Sequence, residues 1–265
     1  CGSSDECSQK GKLLCLLGAN GTFLSQTTYA TGSSPFGLAA VDVNSDNRPD
    51  IIVANSGSNN ISVLLNAGNG TFLSQRTYAT GLSPERLTVV DVNSDNRPDI
   101  IVTNKASNNV GVFFNAGNGN GTFLSQTVYA TAGNEQGVVV VDVNNDNKPD
   151  IIAGSFETSS VRVLLNAGNG TFLSQVSYAA PTSTYEVAVV DINSDNRPDI
   201  IVTNSGSNTT GVLFNAGNGT FSSQTTYAVG TNPVGLAVVD VNADTKPDII
   251  VGNVDSGTVS VLLQP

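Results

Sequence analysis

The chain has 265 residues, 39% of them hydrophobic, and a formal net charge of −11 at pH 7 from 22 acidic and 11 basic residues. It contains no histidine, which excludes Ser/His triads, His metal sites and the commonest general base, so we expect no enzymatic activity. The absence of a basic cluster argues against nucleic-acid binding. No apolar run approaches the length of a membrane span, so we expect none.

The N-terminal segment, residues 1–11, precedes the first predicted strand and begins a region rich in cysteine. Cys1, Cys7 and Cys15 are the chain's three cysteines. Because three is odd, one disulfide would leave a thiol for a partner chain or for reaction. Free cysteines in a reducing compartment are the alternative. The chain has no methionine, which indicates a removed signal peptide or upstream segment, or an incomplete chain. We expect a secreted, extracellular protein.

One motif recurs five times over residues 12–265 and defines a single domain of five repeats of about 49 residues. Its first copy reads Asp42-Val-Asn-Ser-Asp-Asn-Arg-Pro-Asp50 and places oxygen-bearing side chains at positions 1, 3, 5 and 9, the alternate spacing that wraps a loop around Ca²⁺. The alternative is that these Asp and Asn residues only form hydrogen-bonded turns. The predicted ligand side chains are Asp42, Asn44, Asp46, Asp50, Asp91, Asn93, Asp95, Asp99, Asp142, Asn144, Asp146, Asp150, Asp191, Asn193, Asp195, Asp199, Asp240, Asn242, Asp244 and Asp248.

These motifs account for most of the acidity, because each copy holds three Asp and the five copies hold fifteen of the 22 acidic residues. Five bound Ca²⁺ ions would bring the formal charge from −11 to −1. Without the ions, the carboxylates of each loop would repel one another.

Each repeat predicts four short strands, which we name A to D from the axis of the fold outward. They are separated by turn residues and show no helical periodicity, a pattern typical of the blades of an all-β propeller. In the first repeat the predicted elements are strand A (Gly37–Val43), the Asp/Asn loop, strand B (Asp50–Asn55), a turn (Ser56–Asn59), strand C (Ile61–Leu65), a tight turn (Asn66–Gly70) and strand D (Phe72–Tyr78).

The motifs Asp-Val-Asn-Ser-Asp-Asn-Arg-Pro-Asp-Ile-Ile-Val and Val-Leu-Leu-Asn-Ala-Gly-Asn-Gly-Thr-Phe closely resemble the FG-GAP/VCBS repeat family, whose blades occur in integrin α-subunit propellers. The resemblance implies calcium in each loop and adds the position-7 carbonyls of Arg48, Arg97, Lys148, Arg197 and Lys246 as ligands. The family usually has Gly at position 6, where this chain has Asn in four copies and Thr245 in the fifth. Asn tolerates a left-handed backbone better than Thr does, so we expect the fifth site to be the weakest or to have a different shape.

Counting strands predicts a five-bladed propeller with one strand too many. A C-like strand (Lys12–Leu17) and a D strand (Thr22–Tyr29) come first, four full A–D sets follow, and the chain ends on A, B and C, the last at Val259–Leu263. Sharing the terminal strands would close the ring but leave one C strand surplus. That strand could complete a neighbour's blade and, with a cysteine, build a head-to-tail fibril. A frayed or locally capping segment in a monomer is the alternative.

N-glycosylation sequons recur at the C–D turns, where Asn-Gly is also what a tight turn requires. If the source is eukaryotic and secretory, we expect several sites to carry glycans. The candidate sites are Asn20, Asn60, Asn69, Asn120, Asn169, Asn208 and Asn218.

These features predict a secreted, calcium-stabilised, N-glycosylated propeller that serves as a structural or adhesive building block and assembles into fibrils with copies of itself. A lectin-like or integrin-like module that binds an extracellular glycan or protein is the alternative. It would use the variable D–A loops: Gly32–Phe36, Gly81–Glu85, Ala132–Gln136, Pro181–Tyr185 and Gly230–Pro233.

Overall fold

A computed structural model describes residues 23–131 and 133–265, and its regular structure is almost entirely antiparallel β-sheet. One 3-10 turn, Lys105–Ser107, is the single helical element of these residues. No helix in this part of the chain is long and apolar enough to span a membrane. The predictions made for Cys1, Cys7, Cys15, Asn20 and the strand at residues 12–17 lie outside the described residues.

The strands form five consecutive sheets, four with four strands and a last one with three, which we call blades 1 to 5. Blades 1 and 2 consist of β1 (Pro35–Val41), β2 (Asp50–Asn55), β3 (Asn60–Leu64) and β6 (Arg76–Ala79), then β7 (Pro84–Val90), β8 (Asp99–Asn104), β9 (Asn109–Phe113) and β10 (Thr127–Ala130). Blades 3 and 4 consist of β11 (Glu135–Val141), β12 (Asp150–Ser155), β13 (Ser160–Leu164) and β16 (Val176–Ala179), then β17 (Thr184–Val190), β18 (Asp199–Asn204), β19 (Thr209–Leu213) and β20 (Thr225–Ala228). Blade 5 consists of β21 (Pro233–Val239), β22 (Asp248–Asn253) and β23 (Thr258–Leu262).

The predicted A, B and C strands are confirmed, and the D strand is shorter than predicted. Its first residue instead belongs to a hairpin within the C–D turn, β4 (Asn66–Gly68) with β5 (Thr71–Phe72) in blade 1 and β14 (Asn166–Gly168) with β15 (Thr171–Phe172) in blade 3. The B strands carry the Ile-Ile run and are buried on both faces, because they lie in the middle of each sheet and between two neighbouring blades. Ile52, for example, pairs with Ala39 on one side and Val63 on the other.

Hydrogen bonds place the loops at two opposite ends of the blades. At one end, the amide of Asn66 in the C–D turn donates to Asp50 Oδ1 beside the A–B loop, over 2.8 Å. At the other, the amide of Ser56 in the B–C turn donates to the carbonyl of Ser34 in the D–A loop, over 2.9 Å. The Asp loops and the C–D turns therefore share one end, as the strand alternation predicts.

Apolar clusters join each blade to the next, and a Tyr–Phe pair recurs in these contacts. The Tyr78 ring of blade 1 packs edge-on against Phe123 of blade 2 at 5.7 Å, and Tyr178 of blade 3 packs against Phe221 of blade 4 at 5.6 Å. A buried Asn adds a polar link, since Asn115 Nδ2 donates to the carbonyl of Val43 one blade away, over 2.9 Å. These aromatic pairs thus pack in the contacts between blades.

The two end blades present apolar faces that internal blades bury. Leu38 of β1 is 71% exposed, and Val259 of β23 is 65% exposed. Successive inner strands pack closely from β1 through β7, β11 and β17 to β21, but the described residues show no comparable contact between β21 and β1. Residues 23–31 form no strand, so the predicted D strand over Thr22–Tyr29 is not seen in its described part, and no described residue pairs with the outer edge of β23 in blade 5. Closure of the ring therefore stays a prediction.

Candidate functional site

The Asp loop of each repeat is folded around the carboxylate at its first position. In blade 1, Asp42 Oδ1 accepts the amides of Asn44 and Asp46 over 3.1 and 3.2 Å, and its Oδ2 accepts the amide of Asn47 over 2.7 Å. Asn44 Oδ1 also accepts the Asp46 amide, and Asp46 Oδ1 accepts the Arg48 amide. The side chains at positions 1, 3 and 5 are therefore held together by the loop's own backbone.

Two positions of every loop adopt a left-handed backbone. Position 6 does so as predicted, with Asn47 at φ 62°. Position 4 does so as well, with Ser45 at φ 62°, which the sequence analysis missed because Ser carries no strong preference for this region. In the fifth loop both positions hold residues poorly suited to it, Ala243 at φ 63° and Thr245 at φ 71°. That loop stores the most backbone strain of the five.

The Asp at position 9 has a structural role that sequence reasoning missed. Asp50 is fully buried, its Oδ2 accepts the Val43 amide over 3.0 Å, and its Oδ1 accepts the Asn66 amide over 2.8 Å. One carboxylate therefore fastens the end of strand A to the start of the C–D turn. The same two bonds recur at Asp99, Asp150, Asp199 and Asp248.

We call these five buried position-9 carboxylates the latch carboxylates, because each joins the end of strand A to the C–D turn. Burial controls their protonation. It raises the pKa of Asp99 and of Asp150 to about 6, against the opposing effect of the two accepted amides in each case. Burial also raises the pKa of Asp50 and of Asp199. By contrast, the pKa of the exposed Asp240 is lowered, first by the Thr245 amide and further by the amides of residues 242–244.

A basic side chain at position 7 lies beside the position-5 carboxylate in three loops. Arg97 Nη2 donates to Asp95 Oδ2 over 2.6 Å, and the nitrogen-to-oxygen distances are 3.6 Å for Lys148–Asp146 and 3.9 Å for Arg48–Asp46. This cation offsets part of the loop's negative charge and would compete with a metal ion for one oxygen.

The loops fit a divalent cation in part. Positions 1, 3 and 5 bring two carboxylates and one amide oxygen together, and such hard oxygen donors are the ligands that Ca²⁺ prefers. Within residues 23–131 and 133–265, however, no three Asp, Glu, His or Cys side chains form a metal-binding group, because the position-9 carboxylate points to buried backbone amides. Calcium binding stays a prediction, and its best-supported ligands are those at positions 1, 3 and 5.

The sequons of the C–D turns are accessible. Asn69, Asn120, Asn169 and Asn218 are all exposed at the end of the blades that carries the Asp loops. Asn208, on the opposite end, is exposed too, although its Oδ1 accepts the Asn232 amide over 3.0 Å. Asn60 is half-buried at the start of β3, and its Oδ1 accepts from Asn55 Nδ2 over 2.8 Å. The C–D turns are therefore the best-placed acceptors.

Charged residues from different blades meet at the inner strands near the D–A loops. Arg86 Nη2 of blade 2 lies 3.3 Å from Glu186 Oε2 of blade 4, its Nε donates to the carbonyl of Gln136 of blade 3, and its guanidinium lies 5.3 Å from the Phe36 ring centre of blade 1. One side chain thus contacts three other blades. Burial raises the pKa of Glu186, opposed by Arg86.

Two further ion pairs lie beneath the same loops. Lys105 Nζ donates to Glu85 Oε1 over 2.9 Å, and Arg162 Nε lies 3.9 Å from Glu135 Oε1 in the interior of blade 3. Burial raises the pKa of Glu135 to about 7, opposed by Thr131 and Arg162. These pairs differ from blade to blade, so the D–A loops do not form five equivalent pockets.

Several solved structures share this fold at low sequence identity. BBS1N, crystallised in complex with ARL6DN, is 15% identical with a TM-score of 0.59 over 86% of this chain and 64% of that one. A lectin from Agrocybe aegerita that recognises non-reducing terminal N-acetylglucosamine is 21% identical, with a TM-score of 0.54 over 84% and 65%. Virginiamycin B lyase from Staphylococcus aureus is 17% identical, with a TM-score of 0.58 over 91% and 74%. The chain thus spans less than two thirds of the first two proteins.

No curated protein is significantly similar to the chain in sequence. The model of the FG-GAP-like repeat matches it four times, over residues 42–102, 91–153, 142–202 and 191–251. Each match runs from the Asp loop of one blade to strand B of the next, so the matched unit contains the latch Asp, the C–D turn and the contact between blades described above. Together the matches span residues 42–251, and the chain belongs to the FG-GAP-like repeat family.

Proposed function

We propose that this chain is a non-catalytic extracellular building block, stabilised by calcium and glycosylated at its C–D turns, that assembles with copies of itself into fibrils. The observation that carries the proposal is the pair of uncovered apolar end faces on blades 1 and 5. Each is built from the same strands that internal blades bury against a neighbour. Large exposed apolar faces on a folded protein mark interaction surfaces.

Different residues form the two faces, one led by β1 and the other by β21 to β23. An interface between unlike faces is heterologous, and repeating it generates a ring or an open filament rather than a closed dimer. The repeat family and the absence of His from the chain favour an interaction module over an enzyme.

Calcium would stiffen such a building block at one end of every blade. The loops already gather the oxygens of positions 1, 3 and 5, so an ion would bind without large rearrangement and would neutralise their mutual repulsion. Glycans at Asn69, Asn120, Asn169 and Asn218 would project from that end, where the turns are exposed. They would leave the apolar end faces uncovered.

A recognition module that uses the D–A loops is the second candidate. The uneven set of charged and aromatic side chains there favours it, with Phe36 half-exposed over Arg86 and Tyr185 edge-on to Phe156 at 6.4 Å. The recognition of N-acetylglucosamine by the Agrocybe lectin is a precedent for sugar binding on a similar fold.

Sedimentation velocity and negative-stain electron microscopy over a range of protein concentrations, with calcium or with excess chelator, test the proposal. We expect concentration-dependent filaments that weaken in chelator. Single particles at every concentration would contradict it. A glycan array distinguishes the building block from the recognition module. A building block should show no selective binding, whereas a lectin-like module should bind one sugar class through D–A loop residues.

A further inference from the structure

An apolar pocket of about 200 Å³ lies between blades 4 and 5, at the end that carries the Asp loops. Its walls include Ile192, Val212, Phe214, Tyr227 and Leu262. We name it the Tyr227 pocket.

The corresponding place between blades 1 and 2 is filled by a phenylalanine. There Val43, Val63, Leu65 and Phe113 belong to the apolar cluster that encloses Phe123, the Phe of the Asn-Gly-Thr-Phe turn, with Tyr78 packed against it. Each residue matches a wall of the Tyr227 pocket by its place in the repeat. Phe221 packs on Tyr178 and Phe172 on Tyr129 in the same way. The Tyr227 pocket is therefore equivalent to the site that holds the turn phenylalanine in the other blades. No phenylalanine of the described residues fills it.

The same chain presents an uncovered phenylalanine of the matching turn. Phe23 ends the sequence Asn-Gly-Thr-Phe and is 99% exposed, as Leu24 is at 97%. Six residues later, Tyr29 packs against Phe72 of blade 1 at 5.4 Å, with the edge-on geometry of the other Tyr–Phe pairs. Residues 28–30 therefore lie beside blade 1, in the place of the outermost strand of a preceding blade.

Blade 5 lacks that outermost strand in the described structure. Its third strand, β23, has a free edge, with Val259 and Val261 65% and 52% exposed. In blade 1 the equivalent strand pairs Ser62 with Thr77. By their places in the repeat, Ser62 corresponds to Ser260 of β23 and Thr77 corresponds to Thr28. The equivalent pair for blade 5 is therefore Ser260 with Thr28.

We propose, building on the assembly proposed above, that residues 23–30 of a second copy complete blade 5, with Phe23 in the Tyr227 pocket and residues 27–30 paired with β23. Strand addition to a free edge supplies main-chain hydrogen bonds, and a side-chain pocket supplies specificity. A second copy is favoured over the chain's own segment because Phe23 is fully exposed while Tyr29 packs on blade 1, and because β1 and β21 lack the close packing that joins the other successive inner strands. When this segment of the second copy pairs with β23, the exposed face of the second copy's blade 1 lies against the exposed face of blade 5.

Two cysteine variants test the pairing in a background with Cys1, Cys7 and Cys15 changed to Ser. One carries Thr28→Cys and the other Ser260→Cys, so a disulfide between them joins two molecules by construction. Opposed residues of antiparallel strands have Cα separations suited to a disulfide. We expect a mixed disulfide dimer under mild oxidation, and no such dimer when Ser58→Cys, at the opposite end of the blades, replaces Thr28→Cys. Adding Phe23→Ala should lower its yield about tenfold, which corresponds to about 1.4 kcal/mol.

Sedimentation of the otherwise unchanged chain provides the second measurement. Phe23→Ala should reduce assembly, while Phe156→Ala, which truncates another exposed phenylalanine, should not. No mixed disulfide, or one insensitive to Phe23→Ala, would overturn the proposal, as would a 28–260 disulfide that forms only within a single chain carrying both cysteines. Assembly that persists in Phe23→Ala would leave the building-block function standing without this contact, whereas an unchanged chain that never assembles would remove both.

Discussion

The backbone amide of Phe221 in blade 4 donates a 3.2 Å hydrogen bond to the hydroxyl of Tyr178 in blade 3. The two rings meet edge-on at 5.6 Å, so one tyrosine contributes both packing and a polar bond to the joint between blades. Tyr78 makes the same bond to the Phe123 amide, over 3.3 Å.

Removing only the hydroxyl should therefore weaken the joint. We expect Tyr178→Phe to lower the free energy of unfolding by about 1–2 kcal/mol, because the Phe221 amide loses its acceptor in a largely buried place. Tyr227→Phe is the matched control, since the described residues give its hydroxyl no hydrogen bond. Chemical denaturation of dilute protein measures both, and equal effects would contradict the assignment.

Replacing a latch carboxylate separates its structural role from any role in metal binding. Asp150→Asn should destabilise the protein by about 1–3 kcal/mol, because the new amide group would oppose the backbone amide of Val143 or Asn166 with a donor. The loss should be the same with calcium and with chelator. Asp146→Asn, in the same loop but on its surface, should reduce stability only when calcium is present. A loss in Asp150→Asn that appears only with calcium would assign that side chain to the ion instead.

Calcium removal should lower the melting temperature, because each loop then holds adjacent carboxylates without a counter-ion. Titration calorimetry should find up to five sites, the fifth loop being the weakest. An unchanged melting curve in excess chelator would show that the amides and the position-7 cations hold the loops without metal.

The strain in the fifth loop can be relieved by one substitution. Thr245→Asn should raise the free energy of unfolding by about 1 kcal/mol, since Asn tolerates the φ of 71° that a β-branched residue resists. The reverse change in blade 1, Asn47→Thr, should lower stability by a similar amount. Thermal denaturation measures the pair, and changes of the same sign would contradict the explanation.

Glu135 should make stability depend on pH near neutrality. Its pKa is raised by burial to about 7 in the folded protein, above the ordinary value of 4.5. A raised carboxyl pKa means that the folded state binds the proton more tightly, so this contribution is complete below pH 4.5 and is lost as the pH rises through about 7. Stability in chelator should therefore fall as the pH rises from about 4.5 to about 7 and level off above it. Asp99 and Asp150, whose pKa is raised to about 6, share the lower part of this fall, so Glu135→Gln should flatten the slope chiefly between pH 6 and pH 7. An equal slope in both proteins would contradict the assignment.

Much of the fold could be predicted from the repeat. Local patterns predict strands A to C and the left-handed backbone of the Asn at position 6. Alternation, β-branched runs and Asn-Gly turns each have a local physical cause.

Contacts between blades could not be predicted in this way. Glu186 lies a hundred residues from Arg86, and Asn115 donates to the Val43 carbonyl 72 residues away. Such pairs depend on how neighbouring sheets are placed, which no local pattern records. The split of the D strand had a local cause that was overlooked, since β5 pairs with β4 before the chain turns outward to β6.

The 49-residue period affects what happens when whole repeats are gained or lost. The latch carboxylates act within a repeat, and the Tyr–Phe joints connect one repeat to the next. Each joint is made by equivalent residues of two adjacent repeats, so duplication or deletion of one whole repeat creates no new kind of contact. The extra residues in the Asn115–Phe123 turn show that smaller insertions are accepted where they only lengthen an exposed hairpin. Gene variants that differ by whole repeats should therefore fold, and their products should differ in length while keeping the same two ends.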